Sequence, residues 1–178
     1  MKTVYFGGTK NEFQYAEFTQ LQIEALKHNI RIGSNSIIGN YSKILDNVNI
    51  GERVVIGRGV VIGRNAVISN STKIGELSKI GSDTSISHAV AIGERVVIKR
   101  KVKIAGMVRI GDKVQIGNES ELFDKAVVGK ETILGTNVKV EYKVKIGDGM
   151  VISDNLIIKK DIDRDTVFDQ SHYSVSKY

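Results

Sequence analysis

The 178-residue sequence contains no cysteine, no proline and no tryptophan, and only 6% of its residues are aromatic. Without cysteine there can be neither disulfide bridges nor thiolate metal ligands, which favours a reducing compartment. No apolar run approaches the length of a membrane-spanning helix, and the N-terminal stretch MKTVYFGGTK lacks the hydrophobic segment of a signal peptide. We therefore expect a cytoplasmic protein whose length suits one domain.

The net charge of +6 is concentrated in the middle of the chain. Residues 1–29 carry three basic and three acidic groups, and residues 161–178 carry two basic and four acidic groups, so residues 30–160 carry +8. This favours anionic partners such as phosphorylated cofactors or acidic proteins, although a solvated basic surface explains it equally well. Nucleic acid is not favoured as a partner, because aromatic residues are scarce and no recognition helix is visible.

A six-residue repeat runs through residues 30–160 without a change of phase. Four residues after each repeated aliphatic residue lies a second restricted position, which mostly holds Ser, Thr, Ala or Val. Because side chains alternate along a strand, an even period directs both positions to one side, towards an interior. An amphipathic α-helix is excluded, because its apolar stripe recurs near 3.6 residues. The repeated aliphatic residues are Ile32, Ile38, Ile44, Ile50, Ile56, Ile62, Ile68, Ile74, Ile80, Ile86, Ile92, Ile98, Ile104, Ile110, Ile116, Leu122, Val128, Leu134, Val140, Ile146, Ile152 and Ile158.

A second period, of eighteen residues, appears in the glycines. The residue directly after every third repeated aliphatic residue is always glycine. These are Gly39, Gly57, Gly75, Gly93, Gly111, Gly129 and Gly147. Three hexads therefore make one coil, and we call the position that is always glycine the strict corner. This pattern predicts a three-sided parallel β-helix of about seven coils, stacked roughly 4.8 Å apart. We expect glycine at these corners because it adopts conformations that are unfavourable for other residues.

The two ends of a β-helix need covers, because an open end invites further strand pairing. Residues 1–29 are expected to form an N-terminal cap, a short strand followed by a helix in which Phe13, Phe18 and Leu21 lie near helical spacing. Residues 30–160 form the predicted β-helix. Residues 161–178 are expected to be a C-terminal cap or a loose tail.

Among the outward-facing positions, one class contains a single histidine and a single glycine. This class is the second residue after each repeated aliphatic residue, and the two are His88 and Gly106. Since they are separated by eighteen residues, they should lie on adjacent coils. A histidine can take the proton of an attacking hydroxyl or amine, and a backbone N–H beside a glycine can stabilise an oxyanion. The pair suggests acyl transfer, with a solvated histidine and an incidental small residue as the structural alternative.

The segment SHAVAIG, residues 87–93, resembles the catalytic stretch of the hexapeptide-repeat acyltransferases, which include lipid A acyltransferases and amino-sugar N-acetyltransferases. In that family the base histidine lies four residues before an inner aliphatic residue that is followed by glycine, as His88 lies before Ile92. The backbone of a glycine one coil later takes part as well, which matches Gly106. The resemblance implies a left-handed β-helix, whereas general crossover rules favour a right-handed turn.

The same resemblance implies the reaction partners. The donor would be an acyl-CoA, most simply acetyl-CoA, or an acyl carrier protein, and no cofactor would be bound permanently. The acceptor would be an amine or hydroxyl of a sugar or nucleotide sugar. The assembly would be a homotrimer.

Two features depart from the family's pattern. Many members have an acidic or amide residue directly after the histidine, where this chain has Ala89, and no inserted loop interrupts residues 32–158. If a group orients the imidazole, the candidates are Asn70, one coil below, Ser69 or Ser71, or a residue of a neighbouring subunit. The uninterrupted repeat supports a second hypothesis, in which the β-helix is a non-catalytic scaffold or assembly module.

A basic stretch, IKRKVKI at residues 98–104, precedes the Gly106 coil. A coenzyme A phosphate or an acidic carrier protein could bind there, and a solvated corner is an equally good explanation. Its outward cations are Lys99, Arg100, Lys101 and Lys103.

Outward aliphatic residues lie in two columns and suit contacts between subunits, which would let a neighbouring subunit form a wall of the acceptor site. They are Val61, Val97, Ile133 and Val151 in one column and Ile37, Val55 and Val127 in another.

No metal centre is expected. A hexapeptide-repeat carbonic anhydrase is the metalloenzyme alternative, and its catalytic zinc would need three close protein ligands. His28, His88 and His172 lie too far apart in the repeat to provide them. His28 and His172 are expected to be surface residues.

Overall fold

The computed structural model describes residues 4–6, 28–163 and 173–175, which form twenty-four short strands and no helix. The helix predicted within residues 11–28 lies outside these ranges, apart from His28, which belongs to a turn. None of the described residues lies in a helix that is long and apolar enough to cross a membrane.

The strands form three sheets whose members alternate along the chain. Between Arg31 and Ile158, strands eighteen residues apart pair in parallel, as in the Lys79–Val97 and Ser85–Lys103 registers. The predicted parallel β-helix of about seven coils is thereby confirmed. The first sheet contains Val4–Phe6, Ser42–Ile44, Val61–Ile62, Lys79–Ile80, Val97–Ile98, Gln115–Ile116, Ile133–Leu134 and Val151–Ile152. The second contains Arg31–Ile32, Asn49–Ile50, Val67–Ile68, Ser85–Ile86, Lys103–Ile104, Glu121–Leu122, Lys139–Val140, Leu156–Ile158 and Tyr173–Val175. The third contains Ile37–Ile38, Val55–Ile56, Lys73–Ile74, Ala91–Ile92, Arg109–Ile110, Val127–Val128 and Lys145–Ile146.

The interior is filled by the two restricted positions of the hexad. All of the repeated aliphatic residues except Ile32 are buried. Where the second position holds a hydroxyl, that group satisfies backbone atoms of neighbouring coils. Ser78 Oγ donates to the carbonyl oxygen of Gly93 at 3.0 Å and accepts from the Val96 N–H at 3.0 Å. Small polar side chains are therefore buried with their hydrogen bonds made.

The strict corner glycines are needed for a reason other than the predicted one. None of the strict corner glycines has a left-handed φ; the left-handed residues lie two positions further along, such as Leu77 with φ of 58° after Gly75. A Cβ on Gly75 would lie 2.5 Å from the carbonyl carbon of Gly93 in the next coil. The expectation of a special conformation at the strict column was therefore wrong, and close approach of successive backbones excludes side chains there.

Stacked side chains connect the left-handed residues of the corner between the first and second sheets. Asn47 Nδ2 donates to Asn65 Oδ1 at 3.1 Å, and Asn65 Nδ2 donates to Asp83 Oδ1 at 2.8 Å. Asn and Asp tolerate the left-handed conformation better than other residues with a side chain. Each of these residues therefore adopts the left-handed turn at little cost and also forms a hydrogen bond with the residue one coil away.

Antiparallel strands lie at both ends of the stack. Val4–Phe6 pairs with Ser42–Ile44, and Tyr173–Val175 pairs with Leu156–Ile158. Each covers the outermost edge of one sheet, which would otherwise present unpaired backbone groups.

Replacing Gly75 by alanine should lower the free energy of unfolding by about 2 kcal/mol, because the added Cβ would overlap backbone atoms that cannot rotate away. Equilibrium unfolding in guanidinium, followed by circular dichroism, measures this change. Glu94→Ala, which truncates an exposed corner side chain, is the control and should change stability by less than about 0.5 kcal/mol. Equal stabilities of the two variants would contradict the explanation by close approach.

Candidate functional site

The predicted pair lies at the corner between the second and third sheets, which we call the site corner. It comprises residues 87–89, 105–107 and the equivalent residues of the coils on either side. A left-handed residue, Ala89, turns the chain there, and the Met107 N–H donates to the carbonyl oxygen of His88 at 3.0 Å. This bond holds the two coils in register. At this corner the side chain of His88 is exposed to solvent, and Gly106 is buried.

The imidazole of His88 lies over Gly106. The Cβ that Gly106 lacks would be 2.8 Å from His88 Cε1 and 3.0 Å from His88 Nε2. At the strict corner, in contrast, the equivalent point of Gly75 lies against backbone atoms of the next coil. The absence of a side chain at residue 106 therefore makes room for the histidine ring.

The N–H of Gly106 already has an acceptor. It donates to Asp124 Oδ1, one coil further on, at 2.9 Å. The same bond recurs at other corners, where the Glu94 N–H donates to Asp112 Oδ1 at 3.0 Å. At Asp112 this backbone hydrogen bond is the main reason that the pKa of the carboxyl lies below its ordinary value. An oxyanion at Gly106 would have to replace the Asp124 carboxylate as the acceptor of this N–H.

Asp124 is the site residue that sequence reasoning missed. It lies two coils from His88 in the same column, and its Oδ1 is 3.1 Å from the point where a Gly106 Cβ would be. The His88 ring and the Asp124 carboxylate therefore approach one another across the glycine. A comparison of adjacent coils pairs His88 with Gly106 but does not reach Asp124. The signal that points to Asp124 is Gly106 itself, because a residue without a side chain lets the residues on either side of it in the column approach each other.

The side chain of Asn70 does not reach His88. Its Oδ1 accepts the Glu52 N–H at 2.9 Å, on the coil that precedes Asn70 and on the opposite side from His88. The Asn70 backbone carbonyl accepts the Ala89 N–H at 3.0 Å. Through the ranges described by the structure, no hydrogen bond joins the side chain of Asn70, Ser69 or Ser71 to the His88 ring.

The four predicted cations do not form one cluster of free charges. Lys101 Nζ lies 3.2 Å from Glu119 Oε1, and Lys103 Nζ lies 3.0 Å from Glu121 Oε1. Lys99 and Arg100 are exposed and have no ion pair with any residue that the structure describes. They occupy the corner between the first and second sheets, on the coil of Gly106. Six residues separate Arg100 from Gly106, so their backbones are at most about 20 Å apart.

The other histidines lie away from this site. The His28 side chain is only 9% exposed, and its Nδ1 lies 3.0 Å from Asp46 Oδ1. The expectation of a surface residue was therefore wrong for His28, because pairing with Asp46 allows the ring to be largely buried. His172 lies outside the described residues. Across residues 4–6, 28–163 and 173–175, no three His, Cys, Asp or Glu side chains come together as metal ligands would.

Two solved structures of similar fold are acyltransferases. UDP-N-acetylglucosamine acyltransferase from Campylobacter jejuni is 21% identical with a TM-score of 0.50, over 76% of this chain and 65% of that one. A mutant of AntD, an N-acyltransferase from Bacillus cereus in complex with dTDP and coenzyme A, is 16% identical with a TM-score of 0.56, over 84% of this chain and 86% of that one. At these identities the likeness shows the fold, which is the left-handed parallel β-helix. The chain spans less than two thirds of the length of the Campylobacter jejuni enzyme.

No curated protein matches the sequence. A family model does match it, over residues 26–123, and is described as the GMPPB C-terminal domain. These residues include the coils that carry His88 and Gly106. Because the match covers more than half of the chain, the protein belongs to the GMPPB C-terminal domain family.

Proposed function

We propose that the protein is an acyltransferase that moves an acyl group, most simply acetyl, to an amine or hydroxyl of a sugar or nucleotide sugar. The observation that carries the proposal is the exposed imidazole of His88 over Gly106, with the Asp124 carboxylate at the same gap. A general base beside a polarised backbone N–H is the arrangement that acyl transfer requires.

In the proposed reaction His88 takes the proton from the acceptor amine or hydroxyl as that atom attacks the thioester carbonyl. The bond from the acceptor to the carbonyl carbon forms, and the carbonyl electrons move to oxygen. When this intermediate collapses, the carbon–sulfur bond breaks and the thiolate receives the proton that His88 holds. The Asp124 carboxylate stabilises the imidazolium between these two steps.

The role proposed for Gly106 is to stabilise the oxyanion, and it depends on a change of partners at Asp124. In the resting arrangement the Gly106 N–H donates to Asp124 Oδ1. When His88 becomes positively charged, the neighbouring carboxylate is attracted to it and can release the N–H to the oxyanion. The donor is then available at the moment when negative charge develops on the carbonyl oxygen.

The proposed donor is an acyl-CoA, with an acyl carrier protein as the alternative thioester. Arg100 and Lys99 support this choice, since they are exposed cations on the Gly106 coil without acidic partners among the described residues. Arginine suits phosphate because its guanidinium can donate two parallel hydrogen bonds. The similar AntD structure holds coenzyme A and dTDP, which is consistent with a thioester donor and a nucleotide-linked acceptor.

A homotrimer is the proposed assembly. The outward aliphatic residues include Ile37 at 56% exposure and Val151 at 72%, and burying them against another copy would be favourable. A neighbouring subunit would then supply the wall that the acceptor site lacks in a chain without an inserted loop.

The alternative is a non-catalytic β-helix that serves as an assembly module. It is favoured by the hydrogen bond from Gly106 to Asp124, which occupies the N–H that an oxyanion would need. The matching family is described as a C-terminal domain, which fits a module within a larger protein. A protein of this kind would show no turnover with any acyl-CoA and acceptor.

His88→Ala should lower kcat for acyl transfer by at least about 100-fold, because the acceptor loses its general base. The measurement is release of coenzyme A from acetyl-CoA in the presence of a panel of amino sugars and nucleotide sugars. The melting temperature should stay within about 2 °C, since the side chain is exposed. Arg58→Ala, at the corner between the third and first sheets, is the control for activity. Full activity of the His88 variant would exclude the base role, and an inactive wild type would favour the assembly module.

Gly106→Ala keeps the backbone N–H but places a methyl group against the His88 ring. We expect kcat to fall at least about tenfold with little change in the KM of the acceptor, because the imidazole is pushed from its position. Stability should change by less than about 1 kcal/mol, in contrast to Gly75→Ala, because the neighbouring atoms are side-chain atoms that can rotate. A crystal structure of the variant would show the displaced ring. An unchanged kcat would contradict this role for the gap.

Arg100→Ala should raise the KM for acetyl-CoA about tenfold while leaving kcat nearly unchanged, because the phosphate contact is the same in the bound and transition states. The effect should shrink in high salt, where the wild-type contact is screened. Arg58→Ala again provides the control, as an exposed arginine paired with Glu76 on another corner. A KM for acetyl-CoA equal to that of the wild type would show that Arg100 does not bind the donor.

A further inference from the structure

A tyrosine between two lysines lies further along the site corner. Tyr142 belongs to the same column as His88, Gly106 and Asp124, and 52% of its surface is exposed. Lys143 Nζ is 4.9 Å and Lys125 Nζ is 5.8 Å from the centre of its ring. The pKa of the Tyr142 phenol is lowered, mainly by a hydrogen bond with the Lys143 side chain and further by the positive charge of Lys125. Two ammonium groups therefore converge on one exposed hydroxylated ring.

The two lysines face one another without an acidic neighbour in their column among the described residues. Arg95 and Lys113 are also like-charged neighbours one coil apart, but Lys113 is paired with Glu131. Left-handed residues lie next to one another on adjacent coils, and Lys101 and Lys113 each form an ion pair with an acidic neighbour in such a place. Lys101 pairs with Glu119, and Lys113 Nζ lies 2.7 Å from Glu131 Oε1. Lys125 and Lys143 occupy the same kind of place, one coil apart, with equal charges. Like charges in facing positions destabilise a fold.

In the part of the chain that the structure describes, the two nearby carboxylates accept backbone hydrogen bonds and form no ion pair with either lysine. Asp124 turns its Oδ1 towards the Gly106 N–H, and Asp161 accepts the Lys145 N–H at 2.8 Å. Neither Lys125 nor Lys143 has an ion pair with any residue in the described ranges. An anion bound between them would relieve their repulsion and would also accept a hydrogen bond from the tyrosine hydroxyl.

The position of this pair relative to His88 suggests which anion it binds. Gly106, Lys125 and Lys143 lie on three successive coils, so the lysines are about 5 and 10 Å beyond the glycine along the stack. A sugar with its reacting group at His88 could therefore extend along the corner and place a phosphate between the lysines. Asp124 lies on this path, exposed, where its second oxygen can accept hydrogen bonds from sugar hydroxyls.

We propose that Lys125, Tyr142 and Lys143 form a subsite for the phosphate groups of a phosphorylated or nucleotide-linked sugar. It is distinct from the donor cations Lys99 and Arg100, which lie at another corner. The assignment to the acceptor rests on the proposed function, whereas the binding of phosphate does not. Both the acceptor and coenzyme A carry phosphates, and the experiment separates these two sources.

The test is isothermal titration calorimetry of the full chain with inorganic pyrophosphate, dTDP and coenzyme A as separate probes. The double variant Lys125→Gln, Lys143→Gln should bind pyrophosphate and dTDP at least about tenfold more weakly than the wild type. Its affinity for coenzyme A should remain within about twofold, and Arg100→Ala should show the opposite pattern. Lys113→Gln, which removes a lysine paired with Glu131, is the matched control and should change none of the three affinities.

A second variant tests whether weaker binding by the double variant reflects only the loss of two positive charges from the surface. Tyr142→Phe keeps both lysines and the ring but loses the hydroxyl, and should weaken pyrophosphate binding about threefold to tenfold. Circular dichroism should show all variants folded, since the three side chains are exposed.

The outcomes separate the two proposals. No pyrophosphate binding by the wild type, or equal binding by the double variant, would overturn the subsite. Loss of coenzyme A binding in the double variant, with dTDP binding retained, would overturn its assignment to the acceptor. Lysine-dependent binding of pyrophosphate and dTDP by a protein without acyltransferase activity would support the phosphate subsite and refute the proposed function.

Discussion

The hydrogen bonds between successive coils are the constraint on which every other feature depends. Along the stack the strands donate to carbonyls seventeen residues on, as the Lys79 N–H does to Val96 at 2.8 Å. Each residue therefore lies over its counterpart eighteen residues away, up to the last coil, where Ile146 pairs with Ile162. Side chains therefore interact in columns. Isoleucine lies over isoleucine inside, and asparagine over asparagine or lysine over glutamate outside. A functional group in this protein finds its partners in the same column or at the next corner.

The repeat predicts the fold because the interior accepts only one kind of residue at each inner position. A period of six identifies the strands, and a period of eighteen identifies the coils without any knowledge of contacts. The reason for the corner glycines was not accessible in this way. A single coil contains nothing to indicate that a Cβ on Gly75 would meet the Gly93 backbone, since that distance depends on how closely two coils approach.

The candidate site was predicted in part, for a related reason. The period places Gly106 next to His88, but the direction in which a side chain leans is set by its hydrogen bonds. Asn70 and Asp124 both lean towards the preceding coil, because a backbone N–H of that coil is free to donate to them. The Asn70 side chain is therefore directed away from His88, whereas the Asp124 carboxylate lies beside Gly106 and faces the His88 ring. His28 shows the same limit, since its burial depends on Asp46, one coil away.

The unbroken register also restricts how such a chain can change in length. An insertion of one residue would exchange the inner and outer faces of a strand, and an insertion of six would move every later residue to the next side of the prism. Only a whole coil of eighteen residues returns each column to its place. A coil added before Asn29 or after Lys143 would lengthen the stack and leave the site corner intact, whereas one added between His88 and Asp124 would separate them. Growth by whole coils outside the site is therefore the route by which this architecture can vary while keeping its surface chemistry.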